Sequence, residues 1–101
     1  MEYCSIYYFE KNLNDNYTTI VTKNQSYKIK ESITKLTNQL HEFPNFFKSH
    51  QSCIVNLKNI EKVDFTNNII YFSNCHTSLL SRGSKKELKN KLAKGYGYDI
   101  I

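Results

Sequence analysis

Short runs of Tyr, Phe, Ile, Val and Thr recur along this chain, each closed within a few residues by Asn, Asp or Ser. "YCSIYYFE" (3–10), "YTTIVT" (17–22), "YKIK" (27–30), "NIEKVDF" (59–65), "IIYFS" (69–73) and "TSLLS" (77–81) are all of this kind. β-branched and aromatic side chains suit a pleated, half-buried surface, and Asn and Asp tolerate left-handed turn geometry. The pattern predicts a mainly β fold built of short antiparallel strands. Two hairpins are expected, 17–22 with 27–30 around "KNQS" and 59–65 with 69–73 around "TNN". With three Gly and one Pro in 101 residues, long disordered linkers are not expected. The length fits one domain, residues 1–101, with one modest core.

Two stretches break the strand period. Ile33, Leu36 and Leu40 fall on one helical face, Ser32 can cap it, and Pro44 closes the region, so a helix is expected over 33–41. Ser84 and Glu87 form an S-x-x-E capping box for a last helix with Leu88 and Leu92 on its buried side. Lys85, Lys86, Lys89, Lys91 and Lys94 ride on that helix, and "GYGYDII" after it reads as a tail. Between the helices lies "FFKSHQSCIVNL" (46–57). It reads as a strand anchored by Phe46 or Phe47, then a polar row, then an apolar Cys53–Val55 run returning to the core.

The formal charge of +5 points toward nucleic acid, an anionic membrane surface or an acidic partner. Cys4, Cys53 and Cys75 are odd in number and make no CxxC pair, so reduced thiols in a cytoplasmic protein are the simplest reading. No apolar run is long enough for a transmembrane helix, and the N-terminus has no signal-peptide pattern. Phosphate-cradling glycine motifs are absent. His41, His50 and His76 have no HExxH partner, and a zinc set from His50, Cys53 and Cys75 or His76 matches no standard spacing. A Cys53–His50 nucleophile pair is the least implausible catalytic idea, but nothing in the sequence lowers the thiol pKa or supplies an oxyanion donor. No enzyme, cofactor, metal or small-molecule substrate is expected.

The segment "FFKSHQSCIVNLKNIEKVD" resembles the signature of LytTR DNA-binding domains, the output domains of many bacterial response regulators. The family pattern is an aromatic pair, a basic residue, a variable one, His, a polar residue, Ser, an apolar triplet, Asn, and an Ile opening a strand. Here these are Phe46, Phe47, Lys48, Ser49, His50, Gln51, Ser52, Cys53-Ile54-Val55, Asn56 and Ile60. "SIYYFE" resembles the family's early strand, and "YFSNCHTSLLSRGSKKELKNKL" its closing strand and basic turn. The nearest flavour is the accessory-gene-regulator type, which controls quorum-sensing genes. Lys48 stands where the family usually has Arg. The resemblance further implies that the chain lacks the family's first strands and carries no receiver domain.

What the resemblance implies is sequence-specific binding of double-stranded promoter DNA, with loops reading successive major grooves at direct repeats and two copies pairing on the DNA. Three contact loops carry over: Asn14, Asp15, Asn16 and Tyr17; Lys48, Ser49, His50 and Gln51; and Arg82, Gly83 and Ser84. Side-chain chemistry agrees. Arg82 is the only Arg and can fork onto guanine, and Gln51 and Asn16 can pair with adenine. Lys48, Lys85 and Lys86 suit phosphates, as do the free N–H groups of a helix starting at Ser84. His50 has a competing reading as a hydrogen-bonded strand-end residue, and Lys89, Lys91 and Lys94 as a solvated helix face. A protein-interaction module with an open sheet edge, or a basic RNA-binding protein, remain as alternatives.

Overall fold

A computed structural model describes residues 3–94 and the backbone of 99–100. Strand β1 (Ile6–Lys11) is the centre of a five-stranded antiparallel sheet. It lies between β2 (Thr18–Thr22) and β5 (Cys53–Asn56), while β3 (Ser26–Ile29) and β4 (Phe46–His50) form the two edges. The 17–22/27–30 hairpin forms as expected, with Thr18 opposite Ile29 and Val21 opposite Ser26. Residues 3–5 of the expected first strand instead make a 3₁₀ turn.

The register of β1 against β2 slips between Ile6 and Tyr8. A bulge of this kind lets two consecutive residues share a face. Tyr7 and Tyr8 accordingly both point into one core, while Ile6 and Phe9 point into another on the opposite side. Helix α1 (Ile33–Leu40) covers the Ile6/Phe9 face with Ile33, Leu36 and Leu40, which are the three residues the sequence spacing selected. Ser32 caps it by accepting a bond from Lys35 N at 3.1 Å. His41 is the C-cap, so the helix stops one residue short of the expected 33–41.

The second sheet packs on the other face. It contains β6 (Lys62–Asp64), β7 (Ile69–Tyr71) and β8 (Thr77–Leu79) in antiparallel order, with β9 (Asp99–Ile100) parallel to β6. The expected strand at 59–65 starts later because Leu57–Asn59 coils into a 3₁₀ turn capped by Asn56, whose Oδ1 accepts from Lys58 N at 3.1 Å. The strands expected at 69–73 and 77–81 are shorter by two residues each. Residues 99–100, expected in a tail, instead complete the free edge of β6, where unpaired ladder groups are available. Residues 95–98 and 101 of that tail lie outside the described residues.

Helix α2 (Lys85–Ala93) buries Leu88 and Leu92 against this larger core, as its spacing predicts. The capping box does not form. Residues Arg82–Ser84 make a 3₁₀ turn that runs straight into the helix, and Ser84 makes no side-chain cap bond. Its hydroxyl accepts from Ser81 Oγ at 2.9 Å instead.

The two sheets are fastened at both ends. At one end Ser49 Oγ donates to Leu79 O at 2.8 Å, and Ser81 N donates to Ser49 O at 2.8 Å. At the other, Asn74 Nδ2 and His76 Nε2 both reach Lys23 O at 3.1 Å. The Asn74–Cys75 turn that makes this second contact has φ of 58° and 62° at its two residues. The body measures 33 × 27 × 27 Å, only slightly elongated.

Candidate nucleic-acid interface

Three connections meet at one end of the first sheet. Loop 12–17 leaves β1 beside the β4–β5 turn, because Lys11 N donates to Ser52 O at 2.8 Å and Glu10 pairs with Cys53. The Arg82–Ser84 turn follows β8, which the Ser49 bonds hold against the end of β4. The three stretches that the sequence singled out separately are therefore neighbours in space.

Loop 12–17 is held from below. Asp15 Oδ1 accepts from Tyr17 N at 2.9 Å, Asn12 N donates to Tyr17 O at 3.0 Å, and Thr19 Oγ1 donates to Asn12 Oδ1 at 2.8 Å. The Tyr17 N–H, followed by the Asn12 amide and the Lys28 ammonium, holds the Asp15 carboxyl below its ordinary range. Asp15 is thus a loop-shaping residue. Asn14 and Asn16 project outward, exposed, and Tyr17 is partly exposed. Asp15 also pairs with Lys28 at 3.5 Å, an exposed contact of little energetic weight.

The polar row 48–51 divides. Lys48 and Gln51 are exposed, and Gln51 occupies the two-residue turn with Ser52. Ser49 is fully buried, so the expectation that it faces a nucleic acid is corrected. Strand alternation puts it on the same face as buried Phe47, with Lys48 between them on the exposed face, and there the hydroxyl finds the Leu79 carbonyl. His50 is half-buried, and its Nδ1 accepts from Ser52 N at 3.1 Å, which leaves the proton on Nε2. It sits as a strand-end structural residue with its outer edge accessible. Both Phe residues pack, on opposite faces: Phe47 in the core between the sheets, Phe46 against α1.

Arg82 is exposed at the start of its 3₁₀ turn, and Gly83 beside it leaves open space, since an added Cβ there meets nothing within 4 Å. Lys85 is half-buried and Lys86 exposed on the first turn of α2. Ser84 is half-buried with its hydroxyl already engaged. The side chains of Asn14, Asn16, Lys48, Gln51, Arg82, Lys85 and Lys86 make no hydrogen bond or ion pair to any described residue. Amides and cations at one end, with their hydrogen-bonding capacity unspent, suit a polar, negatively charged partner.

The remaining chemistry does not converge on a site. Burial pushes the Cys53 thiol up, away from the thiolate a nucleophile needs, and Cys75 sits in the far turn. Among the described residues no group of three His, Cys, Asp or Glu is placed to hold a metal. No helix among them is long and apolar enough to cross a membrane.

Fold and site together define a small two-sheet β domain with three polar connections gathered at one end of its first sheet. The sequence profile of the LytTr DNA-binding domain matches residues 1–93, and the chain belongs to that family. A search of curated proteins finds no match. A solved structure described as the LytTr DNA-binding domain of a response regulator from Bacillus cereus superposes with a TM-score of 0.76 at 19% identity, covering 91% of this chain and 84% of that one. It shares the fold. The mainly β class with two helices, and the family resemblance carried by residues 46–64, are thereby established.

Proposed function

We propose that residues 1–101 act as a single sequence-specific reader of double-stranded promoter DNA, the output domain of a cytoplasmic bacterial transcription regulator of the two-component, quorum-sensing kind. The observation that carries this reading is the meeting of loop 12–17, the Gln51 turn and the Arg82 turn at one end of the sheet, with their amides and cations unpaired. In the major groove Arg82 forks onto guanine, Gln51 and Asn16 offer amides to adenine, and Lys48, Lys85 and Lys86 hold phosphates. The 33 Å body is about as long as one turn of B-DNA, ~34 Å, so the loops of two copies on direct repeats reach successive major grooves. Pairing of copies is a property of the complex on DNA.

The test is fluorescence anisotropy with a labelled duplex carrying a direct repeat, against a scrambled duplex, across a salt series. Tighter binding to the repeat at every salt concentration supports the reading. Equal and steeply salt-dependent binding to both reduces it to a basic surface. A second reading, a protein-interaction module, rests on β3, an edge strand whose Ser26, Tyr27 and Lys28 are all exposed. A stable dimer by size exclusion with no duplex affinity favours it.

A further inference from the structure

Leu13 is 95% exposed, whereas the next most exposed large apolar side chain among the described residues, Tyr3, reaches 49%. Single apolar residues on a surface are ordinary, and exposure alone would say nothing. The setting of Leu13 is what separates it. It stands in loop 12–17, whose shape is fixed without it by the Asp15–Tyr17, Asn12–Tyr17 and Thr19–Asn12 bonds. The side chain packs into neither core cluster. All other residues of the 12–17 loop are polar or phenolic, and exposed Lys11 and Lys28 flank it.

An apolar side chain held out on an ordered, polar loop meets its complement only in a partner. Under the DNA-reading function proposed above, that loop lies in the major groove. There the C5-methyl of thymine is the apolar feature of the base edges, all others being hydrogen-bond donors or acceptors. Asn14 and Asn16, on either side of the loop's acidic brace, offer amides to the polar edges of neighbouring bases. We propose that Leu13 is a specificity-determining residue that recognises a thymine by contact with its C5-methyl group. The loop then reads a short A·T-containing step by one apolar contact and adjacent amide contacts.

The proposal rests on the DNA-reading function, and its test separates the two. Duplexes that bind the full chain are enriched from a randomised library. In the enriched duplex each thymidine is replaced singly by deoxyuridine, which lacks only the methyl group, and affinity is measured for the unmodified chain and for Leu13→Ala. Because Leu13 makes no packing contact, Leu13→Ala keeps its thermal midpoint, which is checked first. The expected result is one position at which deoxyuridine weakens binding to the unmodified chain about fourfold, the transfer value of one buried methyl, and leaves Leu13→Ala unaffected. Deoxyuridine effects that are equal in both proteins at every position, or absent from both, overturn the role of Leu13 while leaving the DNA reader standing. Failure of the library to enrich any sequence overturns the reader, and the role of Leu13 with it.

Discussion

Ser49→Ala separates the geometry found here from the simpler idea that residues 48–51 all face outward. Ser49 is fully buried, and its Oγ donates to Leu79 O at 2.8 Å across the gap between the two sheets. Removing the hydroxyl takes a donor from that carbonyl in a part-buried bond and leaves a small void at a fully buried position. Such a loss costs about 1 kcal/mol. Against a total stability of about 5–15 kcal/mol for a domain of this size, that is a measurable fraction. At about 4–8 °C per kcal/mol, the thermal midpoint should fall by at least a few degrees. The assay is thermal and urea unfolding of both proteins, followed by anisotropy with repeat and scrambled duplexes at a temperature where both are folded. The Ser81 N to Ser49 O bond uses backbone atoms only and survives the substitution. Affinity for the repeat duplex should therefore drop less than stability does, through looser placement of the Arg82 turn. An unchanged midpoint with a large loss of DNA affinity would refute the reasoning, because that is the signature of an exposed contact residue.

Arg82→Ala should cost about 1–3 kcal/mol on the preferred duplex and much less on random DNA; an equal loss on both would make Arg82 a phosphate contact. Lys86→Ala should weaken binding to both duplexes alike and lower the slope of log K against log salt by about one. Tyr8 is buried, and burial, with the nearby Glu10 and Cys53, pushes its hydroxyl up to about 12 from the ordinary 10. Since the folded state holds the proton more tightly, its contribution is intact below pH 10 and is lost as pH rises toward 12. Tyr8→Phe should therefore show a flatter stability profile above pH 10 by urea unfolding. Asn56 is fully buried, with Nδ2 donating to Ile6 O at 2.9 Å and Oδ1 accepting from Asn45 Nδ2 at 3.0 Å and Lys58 N at 3.1 Å. Asn56→Asp sets a carboxylate against the Ile6 carbonyl and should destabilise by about 3 kcal/mol or more, read as a lower urea midpoint.

Local signals in the sequence were read correctly where one period operated without interruption. Ile33, Leu36 and Leu40 with Ser32 in front specify α1 by spacing and cap chemistry alone, and Thr18–Ile29 pairing follows from two β-branched runs around a polar turn. Ser49 was misread because residues 48–51 were taken as one polar surface, whereas strand alternation sets Ser49 on the same side as buried Phe47 and Lys48 on the other. Tyr7 and Tyr8 share a face because β1 slips register against β2 between Ile6 and Tyr8, and no residue in "SIYYFE" announces that slip. The S-x-x-E pattern at Ser84 failed because Ser81, three residues upstream, competes for the hydroxyl and a 3₁₀ turn intervenes. Strand pairing beyond the two hairpins was not legible, since the β1–β5 pairing joins segments more than forty residues apart through backbone bonds that carry no side-chain code. The role of Asp15 was half legible. It was read as part of a contact loop, but an Asp two residues before a backbone N–H is also a turn brace, and the structure shows it in that position.

The double fastening of the sheets bears on which DNA sequences the domain can favour. Gln51 belongs to the first sheet, Arg82 follows the last strand of the antiparallel run of the second, and bonds at both ends keep one sheet from scissoring against the other. The separation between the backbone positions of those two residues is then nearly a constant of the molecule. Under the proposed reading, in which both residues contact bases, a duplex whose local twist does not match that separation would have to deform to satisfy both at once, and the energy of doing so would depend on base steps that neither residue touches. Pliable steps such as TA or CA/TG between the two contacts would be preferred over a stiff A-tract, so part of the recognition would be written in the mechanics of the DNA.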